Sequence, residues 1–529
     1  MTGTGTRDVR GRIRHGIAGA MLATLMLGCT AGVETDRTAG VETDRTAGVE
    51  TDRTAGVETD GCDWTEEAFR DGAGPLAVER CIAAGTDLDA RDNEYGGTLL
   101  HWAAVGGRAE TVEALIEAGA DLDAQDAEYG GTPLHWAASE GTAETVQALI
   151  DAGADIRAQS KDGWTPLHFA VEFGTAETVQ ALIEAGADIR ARSEDGWTAL
   201  HFAAQFSTAE TVKALIEAGA DLDAQDAEYG GTPLHWAARD GTAETVQTLI
   251  DAGADIRARS EDGWTALHFA AQFSTAETVK ALIDAGADIG AQDDEDGATP
   301  LHWAARDGTA ESVKALIDAG ADIRARDKYG WTALHFAAQF SRVESVKALI
   351  DAGADIRARD DEDGATPLHW AASNGTAETV KALIDAGADI RARDKYGWTA
   401  LHFAAQFSRA ESVKALIDAG ADIGARNDEG GATPLHWAAS RGTAETVQTL
   451  IDAGADIGAR DDEYGATPLH WAASGGTAET VQTLIDAGAD IRARDRYGAL
   501  PVDLARNNEA ILDHAVFEKL KEATGETSE

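Results

Sequence analysis

Twelve of the 14 histidines belong to one tetrapeptide, Thr-(Pro/Ala/Leu)-Leu-His, which begins at Thr98, Thr132, Thr165, Thr198, Thr232, Thr265, Thr299, Thr332, Thr366, Thr399, Thr433 and Thr467. Imidazoles spaced by 33 or 34 residues invite a row of metal sites. Geometry argues against it: packed helices stand about 8–10 Å apart, whereas ligands sharing a zinc need bonds of about 2.0–2.1 Å. Acidic runs such as Asp293-Asp294-Glu295-Asp296, Asp360-Asp361-Glu362-Asp363 and Asp461-Asp462-Glu463 offer oxygen ligands for calcium. They lack the spaced Asp/Asn ladder with a distant Glu that an EF-hand uses, so they read as solvated turn tips. There is no Gly-x-Ser-x-Gly, Walker loop, His-Glu-x-x-His or Cys paired with a base. Nearly every polar residue is repeated, whereas catalysis needs a unique convergence of different groups. The expectation is a non-enzyme without metal or cofactor.

Each tetrapeptide leads into a short Ala-rich apolar segment, then Ala-Glu-(Thr/Ser)-Val-x-x-Leu-Ile, then Ala-Gly-Ala-Asp. Val, Leu and Ile at i, i+3 and i+4 form one apolar stripe on a helix. The Gly of Ala-Gly-Ala-Asp suits the left-handed position that ends a helix, and Asp-x-x-Gly before the next Thr suits a tight turn. Seven copies continue as His-Trp and five as His-Phe, and Asp195–Ile216 recurs unchanged at Asp262–Ile283. Most His-Trp copies carry one extra residue before the Thr, which predicts longer finger tips there. In four His-Phe copies the Gly between the helices is Ser207, Ser274, Ser341 or Ser408. If that position is left-handed, a non-glycine residue costs about 1 kcal/mol, so either the turn is distorted or the flanking Phe stabilises it.

This pattern resembles the ankyrin repeat family, whose unit of about 33 residues carries Thr-Pro-Leu-His-x-Ala and folds as turn, helix, turn, helix. The resemblance implies an all-α solenoid of stacked helix-turn-helix units with protruding hairpin-like fingers, and a His that hydrogen-bonds within its turn. The expected organisation is twelve repeats over 94–498, an N-terminal capping repeat at 62–93, and a C-terminal capping repeat and tail at 499–529. The first cap would place Val78, Cys81 and Ile82 on a helix. The second would place Ile511, Leu512, Ala515, Val516 and Leu520 on one face of a segment running from Ala510.

Ankyrin proteins grip partners with their turn tips and inner-helix surface. Those positions here hold Trp164, Trp197, Trp264, Trp331 and Trp398 after the turn Gly, and Phe173, Phe206, Phe273, Phe340 and Phe407 on the inner helix, with Tyr329 and Tyr396 beside them. Two readings stand: exposed aromatic anchors of the kind that dominate binding hot spots, or scaffold packing of each Trp on its repeat's Phe or an Arg stem.

The N-terminus reads as an address. Arg7, Arg10, Arg12 and Arg14 precede an apolar run from Ile17 to Leu27, too short to span a bilayer, which predicts a signal peptide over 1–28. Leu25-Met26-Leu27-Gly28-Cys29 resembles a bacterial lipobox, with Met26 at the place usually held by Leu. The resemblance implies lipidation at Cys29, with Thr30 favouring the outer membrane. Octapeptide copies of Thr-Ala-Gly-Val-Glu-Thr-Asp-Arg over 29–61 read as a flexible tether. In an exported chain the remaining pair, Cys62 and Cys81, suggests a disulfide.

Against 93 Asp and Glu stand 44 Lys and Arg, a formal net charge of -49. Such a polyanion repels nucleic acid and anionic lipid, so membrane contact is expected only through the lipid anchor. The functional expectation is a monomeric protein-protein interaction scaffold in the bacterial periplasm, binding a partner that its acidic flanks would select as basic. Alternatives are a protective envelope spacer without a specific partner and a host-directed ankyrin effector.

Overall fold

A computed structural model describes residues 78–522 apart from 79, 81, 84, 93 and 94. Cys29, Cys62 and Cys81, the segment 1–28 and the tether 29–61 lie outside the described residues. Among the described residues there are 27 helices and no strand.

One repeat explains the rest. Thr132 precedes a first helix, Pro133–Glu140, whose opening Pro has no N–H to leave unsatisfied. Thr142 then caps a second helix, Ala143–Asp151, its hydroxyl accepting from the Thr145 amide at 3.3 Å. Gly153, at φ 97°, ends that helix in the left-handed conformation, its amide donating to Ile150 O and the Ala154 amide to Leu149 O. Val146 and Leu149 are fully buried and Ile150 is half-buried, as the stripe predicted. Helices of eight and nine residues would be marginal alone, since isolated helices need about 12–15 residues. Stacking on neighbours supplies what length does not.

The helices form two units divided after Pro233, with Asp251–Ala254 counted with the first. In the first unit, Leu99–Val105, Pro133–Glu140, Pro166–Phe173 and Ala199–Phe206 pack in chain order, as do their second helices from Ala109–Glu117 to Ala209–Glu217. In the second unit the same order runs from Ala266–Phe273 to Pro501–Ala505. Within each unit successive fingers share a backbone hydrogen bond, such as Lys161 N to Tyr129 O at 2.8 Å and Lys395 N to Asp363 O at 2.7 Å. The longer fingers are present. Asp126 N reaches Gly131 O five residues on, whereas Ser160 N reaches Trp164 O four residues on.

Two expectations are corrected. The glycine between the helices is not left-handed as a rule: Gly141 has φ -76° and Gly174 φ -86°, both extended in ψ, whereas Gly107, which is followed by Arg108, is left-handed at φ 64°. Glycine is needed there for room, because a Cβ on Gly141 would stand 2.6 Å from both Ala104 O of the preceding repeat and Ala137 O. Ser207 and Ser274 keep the extended turn, and the Ser207 hydroxyl donates to Val171 O at 2.7 Å. Ser341 and Ser408 are left-handed, each at φ 62°. The next residue separates the two cases. Thr208 and Thr275 accept from an amide of the second helix, whereas Arg342 and Arg409 have no such oxygen and instead donate Nε–H to Arg306 O and Ser373 O of the preceding repeat.

The C-terminal segment is not one helix. Glu509–Leu512 and Ala515–Lys521 are separated at Asp513-His514, which resets the helical phase. Ile511, Val516 and Leu520 are buried with Phe517, while Leu512 and Ala515 face solvent. At the other end Val78 is buried and helical and Ile82 is half-buried.

Candidate functional site

The histidines are staples between repeats. Thr98 donates its amide to His101 Nδ1 at 3.0 Å, and its hydroxyl lies 2.9 Å from the same nitrogen. Nδ1 is thus an acceptor, the proton sits on Nε2, and Nε2 donates to Gly131 O of the next repeat at 3.1 Å. The same arrangement joins His135 to Trp164 O in the first unit, and His302 to Trp331 O and His369 to Trp398 O in the second. At His168 the Nε2 is buried without a partner. Burial depresses these imidazoles, His135 and His335 among them, to a pKa of about 4, so they are neutral near pH 7. The bond within the turn was foreseen; the bond across repeats was not.

In the longer fingers the leading Asp organises both turn and core. Asp126 Oδ1 accepts from the Tyr129 and Gly130 amides, and Oδ2 accepts from Trp136 Nε1 at 3.0 Å. Trp102, Trp303, Trp370 and Trp471 donate in the same way to Asp92, Asp293, Asp360 and Asp461, at 2.8 to 3.2 Å. Asn427 takes this place in one repeat. It accepts from the Ala432 amide, and its Nδ2 and Trp437 Nε1 are buried without partners. The acidic tips are engaged as well: Arg259 bonds Asp294, Arg326 bonds Asp361 and Arg426 bonds Asp462 from the finger before.

Of the two readings left open for the tryptophans, their burial and ring contacts fit packing. Trp197 and Trp398 are buried and Trp164, Trp264 and Trp331 are half-buried. Each meets a ring of its own or the next repeat: Trp197 on Phe202 at 4.8 Å, Trp164 on Phe202 and Trp264 on Trp303 at 4.4 Å, Trp331 on Trp370 at 4.6 Å, and Trp398 on Trp437 at 4.4 Å. The shorter finger turns the indole back over the first helices, where aromatic contact adds to area burial. Phe173 is half-buried and stacked on Trp164.

The remaining aromatics face solvent. Phe206 in the first unit and Phe273, Phe340 and Phe407 in the second end or directly follow their first helices and are 39–46% exposed. Tyr329 and Tyr396 are similarly exposed on the fingers of the repeats that hold Phe340 and Phe407. Two Phe rings are flanked by cations: Arg239 lies 5.1 Å from Phe273 and 5.4 Å from Trp236, and Arg306 lies 4.9 Å from both Phe340 and Trp303. The sequence reading missed Tyr464 and Tyr497, which are exposed 6.4 Å apart. Their signal was available, since each precedes a finger Gly as Tyr329 and Tyr396 do.

A family model described as ankyrin repeats in three copies matches residues 68–160, 134–226, 221–293, 277–360, 358–427 and 424–495. No curated protein matches the chain.

Proposed function

The chain belongs to the ankyrin repeat family, and from that premise we propose that it is a non-catalytic scaffold of the bacterial cell envelope that holds a protein partner on exposed Phe and Tyr side chains. One observation carries the reading. Phe273, Phe340 and Phe407 recur at every second repeat of the second unit and stay 39–46% exposed, while Trp264, Trp331 and Trp398 of the same repeats are packed. Large rings left in water at a regular spacing fit a contact surface, and aromatic residues carry much of the binding energy at such surfaces. The net charge of -49 favours a basic partner, because complementary charge speeds encounter and penalises acidic competitors. Location in the envelope, with a lipid on Cys29, is supported by the basic stretch, the apolar run and the small residue before that Cys.

The test is capture of a partner from envelope extract by the full chain and by its Phe273→Ala/Phe340→Ala/Phe407→Ala variant. The variant should lose the partner while keeping its helical spectrum and melting point. Trp331→Ala should instead lower the melting point by removing packing between repeats. Early melting of the triple variant would make the phenylalanines scaffold, and undiminished capture would place the interface elsewhere.

A further inference from the structure

A cationic pocket interrupts the acidic surface of the second unit. In the second unit Arg357, Arg359, Arg391 and Arg393 line a pocket of ≈ 390 Å³ together with Ile356 and Asp389. That volume lies within the range of small-molecule sites, about 300–1,000 Å³. Four arginines and one aspartate line the pocket, in a chain whose net charge is -49.

The four arginines divide into two roles. Arg359 donates from Nε to Gly364 O at 2.8 Å and from its terminal nitrogen to Arg393 O, and Arg393 donates to Arg426 O and Asp428 at 2.8 Å. These two are held in place by the backbone of following fingers. Arg357 and Arg391 are exposed, and their guanidiniums make no hydrogen bond or ion pair among the described residues. Asp389 accepts the Arg391 amide at 2.9 Å, which ties one of its oxygens to the turn. Ile-Arg-Ala-Arg also stands singly at 189–192, 256–259 and 491–494, but only at 323–326, 356–359 and 390–393 does it fall in consecutive repeats, a run bounded by Gly290 and Gly424 in place of its first Arg.

We propose that this pocket binds a small phosphate-bearing anion. Guanidinium forks match the paired oxygens of a phosphate, they cannot lose their charge, and two held arginines with two free ones give a partly preorganised site. With Asp428 paired to Arg393 and Asp389 set against a second arginine, two positive charges remain in excess, which fits a doubly charged group. Asp428 already neutralises Arg393 through their 2.8 Å ion pair, whereas acidic groups farther than about 8 Å are screened at physiological ionic strength.

The experiment is calorimetric titration of the full chain with inorganic phosphate, pyrophosphate and citrate at constant ionic strength. Saturable binding of phosphate or pyrophosphate is expected, tighter than that of citrate. Arg357→Gln/Arg391→Gln should weaken it by at least about tenfold, since charge-assisted bonds are among the strongest a side chain makes. Both side chains are solvent-exposed, so the melting point without ligand should not change. Arg157→Gln/Arg257→Gln removes the same charge outside the pocket and should leave binding intact. The proposal is overturned if phosphate and pyrophosphate show no saturable binding, if both double variants weaken it equally, or if citrate binds more tightly.

Discussion

Asn427 is a place where the repeat works against itself. At equivalent positions Asp92, Asp126, Asp293, Asp360 and Asp461 accept the indole N–H of their repeat's Trp at 2.8 to 3.2 Å. Asn427 uses its oxygen for the Ala432 amide, leaving Nδ2 and Trp437 Nε1 as buried donors without acceptors. A buried unsatisfied group costs about 1–3 kcal/mol. Asn427→Asp replaces one orphaned donor with an acceptor for the other, so both deficits close in a single substitution. Part of that gain is offset by a new carboxylate next to Asp428 and Glu429, and the expected net is about 1–2 kcal/mol of stabilisation. Because repeat arrays need not melt as one unit, the assay should be local: hydrogen exchange at the Trp437 indole and the Ala432 amide, with a denaturant midpoint beside it. Asp360→Asn is the reciprocal test and should destabilise its repeat by a similar amount through Trp370. If Asn427→Asp leaves Trp437 exchange unchanged and Asp360→Asn costs nothing, the Trp–Asp bond contributes no stability and the reasoning fails.

Two further predictions concern the scaffold. The buried imidazoles have pKa values of about 4 folded against 6.5 unfolded, so below pH 6.5 the unfolded chain binds more protons than the folded one. Stability should therefore be full above pH 6.5 and fall towards pH 4, by at most roughly 3 kcal/mol per ring, and a denaturation midpoint flat between pH 7 and 5 would contradict this. Ser341→Gly relieves a left-handed serine and should stabilise by about 1 kcal/mol, whereas Ser274→Gly, at an extended φ of -112°, should gain nothing. Equal changes in the two denaturant midpoints would show that backbone handedness is not the cause.

Much of the scaffold was legible along the chain. The period, the Val-Leu-Ile stripe and the glycine that ends each second helix are local signals, and each appears as its spacing required. The turn at Ser341 and Ser408 was less legible, because its handedness follows the residue after the serine and a carbonyl in the preceding repeat. At the C-terminus, apolar spacing suggested one helix face, and a break at Asp513-His514 moved Leu512 and Ala515 into solvent. The candidate surface was half legible: Phe206, Phe273, Phe340, Phe407, Tyr329 and Tyr396 are exposed as an anchor would be, and the five tryptophans are not.

The sequence by itself determined the repeat, its helices and the sign of the surface charge, because those depend on residues within a few positions of one another or on composition alone. Only the tertiary structure decided which aromatics reach solvent, where the second nitrogen of each histidine goes, and that arginines about 33 residues apart line one pocket. Those outcomes turn on a neighbouring repeat, whose approach sets what each side chain can touch and is written at no single position of the chain.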